Sequence, residues 1–240
     1  MRIPVPTQTF LPNFHGFQLA AYSAASLVSV NASRAAAVDW VQIRKRAFIR
    51  VDGVYHSLAH LAGMIVELVI EATPRHPQVS LQIHVEFTSH CVSFGPKHGQ
   101  QLDFGVLGMD RKILDHRRVA RAFCPRRYQW SLQLPRIVRS LANSVCYYTG
   151  SASKNWLVVE LIDDAGHQLS YEIYFQLRRD RVNALRMVIE SAYVRMPGTT
   201  GPTIPHHRKG KVRFKVLAAK ISRGDSVRDP RPSGGWETQS

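Results

Sequence analysis

Residues 111–139 are rich in arginine. They include nine Lys or Arg residues and one acid, Asp115. A guanidinium group pairs with phosphate oxygens through two parallel hydrogen bonds, so this composition predicts contacts with a polyanion. The arginines at the centre of the predicted phosphate-contacting surface are Arg117, Arg118, Arg121, Arg126 and Arg127. Tyr128 and Trp130 follow directly, and aromatic rings beside arginines are typical of surfaces that stack on unpaired bases.

A second basic segment, residues 206–223, holds seven Lys or Arg residues and no acid. Its candidate phosphate-binding residues are Lys209, Lys211, Arg213 and Lys215. The formal net charge of the chain is +15, and these two segments carry all of it. Such concentrated charge favours a polyanionic partner. Two alternatives stay open at this point, namely solvated basic faces that serve solubility and an anionic membrane surface.

Motifs for other chemistry are missing from the sequence. It has no phosphate-binding loop, no dinucleotide fingerprint, no HExxH and no GxSxG, which disfavours an NTPase, an NAD enzyme and a serine hydrolase. Nine candidate ligands do not fall into CxxC or HxxxH spacings, so we expect neither a metal site nor a cofactor; they are His84, His90, Cys91, His98, His116, Cys124, Cys146, His206 and His207. Cys91 follows His90, but adjacency in sequence does not place a base within reach of a thiol.

The order of the predicted helices and strands indicates an α+β fold, with helices packed on one face of a twisted, mainly antiparallel sheet. These elements must position the residues named above. Alternating apolar residues predict a strand at 81–91 and an antiparallel meander from about 145 to 195. Helices are predicted at 33–48, with Ser33 as the cap, and at 55–72, 111–123 and 135–142. A short extended segment or turn is predicted at 128–134. Residues 211–220 fit a final strand or a short helix.

The chain divides by composition into three parts. Residues 1–75 read as a poorly patterned N-terminal extension of loops and helices, residues 76–222 as the α+β core domain, and residues 223–240 as a disordered basic and polar tail. One hypothesis is that translation starts at Met64. No apolar run approaches the roughly 20 residues of a membrane span, so we expect no membrane-spanning segment, and a membrane is not among the favoured partners. Cys91, Cys124 and Cys146 are too few for a disulfide framework, which favours the cytoplasm.

A resemblance bears on catalysis. The basic helical segment, followed by a meander that ends in "LRMVIESAYVR", resembles the small RelE/BrnT-type toxin fold of bacterial mobile elements over residues 81–195. In that family Arg, Lys, Tyr or His side chains on the sheet and adjoining helix cut RNA without a metal. The resemblance implies Arg178, Tyr193 and Arg195 as catalytic residues, and an acidic antitoxin-like protein as partner.

Three functions follow from these observations. The first is a nucleic-acid-binding protein from a bacterial mobile element, which contacts phosphates of RNA or DNA through the two basic segments. The second is a metal-independent endoribonuclease of the toxin type. The third is an interaction protein whose basic patches bind an acidic protein. The sequence does not distinguish RNA from DNA.

Overall fold

We describe the fold from a computed structural model, which defines residues 38–96, 100–149, 155–164, 167–194 and 210–227. All of them belong to one unit that begins at Ala37. The strands in chain order are β1 (Val38–Asp39), β2 (Phe48–Val51), β3 (Val54–Ser57), β4 (Met64–Ile70), β5 (Val79–Phe87), β6 (Ser93–Phe94), β7 (Lys112–Leu114), β8 (Ala120–Phe123), β9 (Val145–Tyr148), β10 (Asn155–Asp164), β11 (His167–Arg181), β12 (Ala184–Val194) and β13 (Lys211–Arg213). The α-helices are α1 (Trp40–Arg46), α2 (Phe104–Leu107), α3 (Pro125–Ser131), α4 (Leu134–Ser140) and α5 (Phe214–Arg223). Short 3-10 helices span Ala59–Leu61, Ser89–Cys91, Met109–Arg111 and Leu141–Asn143.

The largest sheet has the strand order β13-β9-β10-β11-β12-β5-β4. Strands β9 to β12 pair with their chain neighbours in antiparallel fashion. Strand β12 then pairs in parallel with β5, and β5 pairs antiparallel with β4. The predicted α+β class is confirmed. The predicted meander describes only part of this sheet, because the sheet is mixed and includes strands from both ends of the described chain.

Two smaller sheets complete the strand layer. Strands β1, β7, β8 and β6 form one of them, in that order. Strands β2 and β3 form a separate antiparallel hairpin, which pairs Phe48 with Ser57 and Arg50 with Tyr55. The hairpin turns at Asp52 and Gly53, a dipeptide that favours the tight turns of hairpins.

The main core lies between the large sheet and the helices on one of its faces. Tyr171, Phe175 and Met187 of the sheet are almost fully buried, as are Phe214 and Leu217 of α5. The rings of Phe175 and Phe214 lie 6.1 Å apart, which joins α5 directly to β11. The opposite sheet face carries polar contacts instead, such as the ion pair between Arg186 and Glu86.

Two predicted helices are strands in the structure. The helix predicted at 55–72 is replaced by β3, a 3-10 turn and β4, because residues 64–70 pair along their whole length with β5. The helix predicted at 111–123 is replaced by β7 and β8, which turn about Asp115 and bury Ile113 and Phe123. In both segments long-range pairing and burial override local helix propensity.

Other local predictions are confirmed in part. The first helix begins at Trp40 with Asp39 as its N-cap, and the predicted cap Ser33 lies outside the described residues. The predicted extended segment at 128–134 is mostly helical, since α3 reaches Ser131 and α4 begins at Leu134. Residues 211–223 contain both alternatives, strand β13 followed by α5.

The expected division at residue 75 falls between β4 and β5, which are neighbours in the large sheet. Side chains from before that position, among them Trp40, Ile43 and Leu61, are buried in the same core cluster as β5. Helix α5 ends at Arg223, and the expected tail lies outside the described residues beyond residue 227.

Replacing Ala47 with glycine should stabilise the protein. Ala47 follows α1 with φ of 58°, a left-handed conformation that glycine adopts without the Cβ penalty. We expect Ala47→Gly to raise the free energy of unfolding by about 0.5–1 kcal/mol in urea denaturation. The matched control Ala218→Gly, inside α5, should lower it by about 1 kcal/mol or more, because helical geometry gives glycine no advantage there. A loss of stability in Ala47→Gly would contradict this account of the helix end.

Candidate nucleic-acid interface

The turn between β7 and β8 is organised by a buried carboxylate. Asp115 is only 3% exposed, and its Oδ1 accepts hydrogen bonds from the backbone N–H of Arg117 at 2.8 Å and of Val119 at 2.9 Å. The side chains of His116, Arg117 and Arg118 are exposed. We call residues 116–118 the basic turn. The one acid of the first basic segment therefore faces inward and leaves the charge of the basic turn toward solvent.

The other oxygen of Asp115 faces His90. Its Oδ2 lies 3.3 Å from His90 Nε2. Burial lowers the pKa of His90 to about 4, with a smaller contribution from the positive charge of Arg121. Burial alone would raise the pKa of Asp115, but the hydrogen bonds from Val119, His90 and Arg117 outweigh it and lower that pKa. At neutral pH a neutral imidazole therefore donates Nε2–H to a charged carboxylate.

Two of the predicted phosphate-binding arginines bind the protein itself. Arg121 donates from Nε to Ser93 Oγ at 3.0 Å and from Nη2 to the Ser93 carbonyl at 3.3 Å. Arg127 donates from Nη1 to the carbonyls of Ser93 at 2.7 Å and His90 at 3.0 Å. Burial lowers the pKa of Arg121 to about 10, so its charge persists at neutral pH. Both guanidinium groups hold the segment 89–94 in place.

The other three central arginines are exposed. Arg118 Nη1 lies 2.7 Å from Asp39 Oδ2, although the Arg118 side chain is 72% exposed. Among the described residues, the Arg117 guanidinium has no hydrogen-bond or ion-pair partner. Arg126 is exposed in the first turn of α3. These three guanidinium groups are accessible to a ligand.

The aromatic candidates are only partly accessible. Tyr128 packs among other rings, with its centroid 5.8 Å from Phe123, 5.0 Å from His56 and 5.7 Å from His60. Trp130 also packs against the core, and its indole nitrogen is buried without a hydrogen-bond partner. Stacking of bases on these two rings stays a prediction, and their packing leaves only part of each ring open.

The second basic segment lies at an edge of the large sheet. Lys211 and Arg213 are exposed on the short strand β13, which pairs with β9. Lys215 Nζ lies 3.7 Å from Glu71 Oε1, and Lys209 lies outside the described residues. Charges on short edge strands also prevent edge-to-edge aggregation, so this patch has an alternative structural explanation.

The structure does not bring together Arg178 and Tyr193, the two predicted catalytic residues that it describes. Arg178 lies opposite Arg186, whereas Tyr193 lies opposite Glu172. These positions are seven residues apart on β12, or roughly 23 Å at the usual rise of a strand. Tyr193 stacks on Tyr174 at 5.8 Å, and the guanidinium of Arg127 lies over its ring at 5.0 Å. Arg195 lies outside the described residues.

Cys91 and several possible metal ligands also lie within the described residues. Burial raises the pKa of the Cys91 thiol to about 12, which keeps it protonated at neutral pH. In this part of the chain, no group of three or more His, Cys, Asp or Glu side chains is arranged to hold a metal ion. Its helices are also too short or too polar to cross a membrane.

Sequence reasoning missed a third basic surface, on α1 and the β2–β3 hairpin. Arg44, Lys45 and Arg46 are exposed in the last turn of α1, and Arg50 is exposed on β2. Phe48 and Tyr55 are exposed on the same outer face of the hairpin. The available signal was the alternation in "FIRV" followed by Asp-Gly, which predicts a hairpin. The net charge of the chain does not reveal this surface, because acids elsewhere in the sequence balance these four cations.

Comparison with known proteins identifies the family. The model of the YjaZ family matches residues 47–222, which is more than half of the chain, and the chain belongs to this family. No curated protein and no solved structure matches it. The resemblance to RelE/BrnT-type toxins is therefore wrong, and the catalytic roles that it implied have no support from a family match.

The free energy of unfolding should fall as pH drops below the ordinary pKa of histidine. The folded pKa of His90, about 4, lies below its ordinary value of 6.5, so between these values the unfolded chain binds the extra proton. We expect a loss of about 1.5 kcal/mol between about pH 6.5 and pH 5, measured by urea unfolding. His90→Gln should flatten this dependence, whereas His76→Gln, at an exposed histidine, should keep it. Equal slopes in wild type and His90→Gln would contradict the assignment.

Proposed function

We propose that this YjaZ-family chain binds nucleic acid through its phosphate backbone, with the basic turn as the main contact. The observation that carries the proposal is the inward-facing Asp115. Its carboxylate accepts from the backbone N–H groups of Arg117 and Val119 and from His90, and it forms no ion pair with the guanidinium groups of Arg117 and Arg118. A buried carboxylate that shapes a turn of exposed arginines is hard to explain by solubility alone.

Electrostatics favours phosphate as the ligand of this turn. Arg117 has no acidic partner among the described residues. Arg118 has one, Asp39, but an exposed ion pair contributes only about 0–1 kcal/mol, so a phosphate can compete for this guanidinium. Each cation that contacts a phosphate also releases condensed counterions, which favours binding at low salt.

The proposal divides the predicted arginines by role. Arg117, Arg118 and Arg126 contact phosphates, and Lys211 and Arg213 supply a second set of contacts. Arg121 and Arg127 act as positioning residues, because their N–H groups hold the carbonyls of the 89–94 segment. The same residue type thus serves two purposes within eleven positions of the chain.

RNA cleavage without a metal is a second candidate, and the His90–Asp115 pair favours it. A neutral imidazole oriented by a carboxylate is the usual form of a general base. The His90 side chain is 30% exposed, and its partner Asp115 directly precedes the exposed basic turn in the chain. Cations such as those of the basic turn stabilise the charge that develops on a phosphorane. Incubation of labelled RNA with the purified protein and with His90→Gln tests this candidate. Intact RNA after prolonged incubation would exclude it.

Neutralising the basic turn should weaken binding and lower its salt dependence. We expect Arg117→Gln together with Arg118→Gln to reduce the slope of log K against log salt by about 1.5, because two phosphate contacts are lost. The matched control is Arg179→Gln with Arg181→Gln, which removes two exposed arginines from the β11–β12 hairpin end and should leave the slope unchanged. Fluorescence anisotropy with labelled RNA and DNA across a salt series measures both variants.

Two results would contradict the proposal. Absence of binding to RNA and DNA at about 50 mM salt would exclude nucleic acid, since phosphate contacts are strongest at low salt. Equal slopes for the wild type and the basic-turn variant would exclude the turn as the contact. If nucleic acid does not bind but an acidic polypeptide does, the patches serve an acidic protein partner instead.

A further inference from the structure

We propose that the outer face of the β2–β3 hairpin, together with the last turn of α1, binds unpaired nucleotides by stacking their bases on Tyr55 and Phe48. We call this surface the basic ribbon; it comprises Arg44, Lys45, Arg46, Phe48, Arg50 and Tyr55. The inference rests on the proposed function and deepens it, because it selects single-stranded over duplex nucleic acid.

The register of the hairpin separates its two faces. Ile49 lies opposite His56 on the inner face, where Ile49 is buried and the His56 ring lies 4.9 Å from Phe123. Arg50 lies opposite Tyr55 on the outer face, with Phe48 one diagonal step away. The hairpin is thus anchored by its inner face and by its tip, where Asp52 contacts Asp110 and Arg111, and its outer face is not needed for the core.

The outer face presents aromatic rings to solvent. Phe48 is 42% exposed and Tyr55 is 64% exposed. Their centroids lie 5.5 Å apart at an interplanar angle of 63°, so the rings meet edge to face and do not cover each other. A diagonal aromatic pair stabilises a hairpin by about 0.2–1 kcal/mol, which explains the contact between the rings. It does not explain the cations around them.

Charge on the basic ribbon is of one sign. Residues 40–51 contain Arg44, Lys45, Arg46 and Arg50 and no acid. No acid of the described residues forms an ion pair with any of these four cations. Asp52 at the hairpin tip is the nearest acid in sequence, and it pairs with Arg111 instead. The guanidinium of Arg50 lies 5.6 Å from the centroid of Tyr55.

Helix α1 links the basic ribbon to the basic turn. Arg118 pairs with Asp39, the N-cap of α1, and Arg44, Lys45 and Arg46 occupy its last turn. A helix of seven residues spans about 10 Å, so the two basic regions lie at the two ends of one short element. A strand whose phosphates contact the basic turn therefore has only about the length of α1 to cross before it reaches the cations of the basic ribbon.

The combination of rings and cations favours an unpaired strand as the ligand. Exposed aromatic side chains bind nucleic acid by stacking on free base faces, which a duplex hides within its own stack. Surrounding cations then hold the backbone that connects the bases, without reading their sequence. An anionic membrane would also attract cations and aromatic rings, and the experiment below tests that source of affinity separately.

Substitution of Tyr55 tests the basic ribbon directly. Wild-type protein should bind single-stranded oligonucleotides of about 12 residues more tightly than the matching duplex. Tyr55→Ser should weaken single-strand binding by about 5- to 150-fold, the range for loss of one stacking ring, and change duplex binding less than about 2-fold. Tyr55→Phe keeps the ring and should retain single-strand affinity. The control Val54→Ser alters an exposed apolar residue of the same hairpin and should have no effect.

Photocrosslinking of the wild type gives a readout that does not depend on how the variants fold. A single strand that carries bromouracil should crosslink to the peptide with Phe48 or Tyr55. Crosslinks confined to other peptides, or a Tyr55→Ser variant with unchanged single-strand affinity, would overturn the basic ribbon while leaving the proposed function intact. Failure of the wild type to bind any nucleic acid overturns both. Binding to phosphatidylserine vesicles that falls in Tyr55→Ser, with unchanged oligonucleotide binding, assigns the surface to a membrane and overturns the inference.

Discussion

The parallel pairing of β12 with β5 is the constraint on which the rest of the structure depends. It joins the β4–β5 hairpin to the strands that follow residue 145, and it places Met187 opposite Val85 in the core. The pairing stops at Ile189 and Phe87, where β12 continues beyond the end of β5. There the Thr88 hydroxyl donates to the carbonyl of Glu190 and the Thr88 N–H to that of Ile189. The segment that follows, 89–94, is thereby fixed.

The 89–94 segment connects the large sheet to the basic surface. Its carbonyls accept hydrogen bonds from Arg121 and Arg127, and its His90 side chain faces Asp115. A buried hydrogen-bond acceptor without a partner destabilises a fold, so the two arginines stabilise this loop as well as carrying charge. The 89–94 segment also contacts the basic turn, because its His90 side chain faces Asp115, whose oxygens accept hydrogen bonds from the backbone N–H groups of Arg117 and Arg118. Arg121 and Arg127 are thus linked through one loop, by way of His90 and Asp115, to the exposed arginines of the basic turn.

Helix α1 joins the basic turn to the basic ribbon, and so it sets the length of the proposed interface. The helix begins at the residue that pairs with Arg118 and ends in three cations beside the aromatic hairpin. Cations in the last turn of a helix also interact favourably with its carbonyl end, so their location suits the helix as well as a polyanion. Membership of the YjaZ family covers the hairpin, the basic turn and α5, and it supplies no chemistry by itself. The chemistry follows from which side chains the fold leaves exposed.

The sequence by itself determined the α+β class, the strands with clear alternation and the concentration of positive charge. Strands β5, β11 and β12 were predictable because alternation of buried and exposed residues is a local pattern. Tertiary structure alone decided that residues 64–70, 112–114 and 120–123 are strands, since β4 pairs with β5, β7 with β1 and β8 with β6. It also decided that Arg121 and Arg127 face inward while Arg117 faces solvent. The acceptors of the inward pair are the carbonyls of His90 and Ser93, some thirty residues away, and no local pattern reveals such contacts.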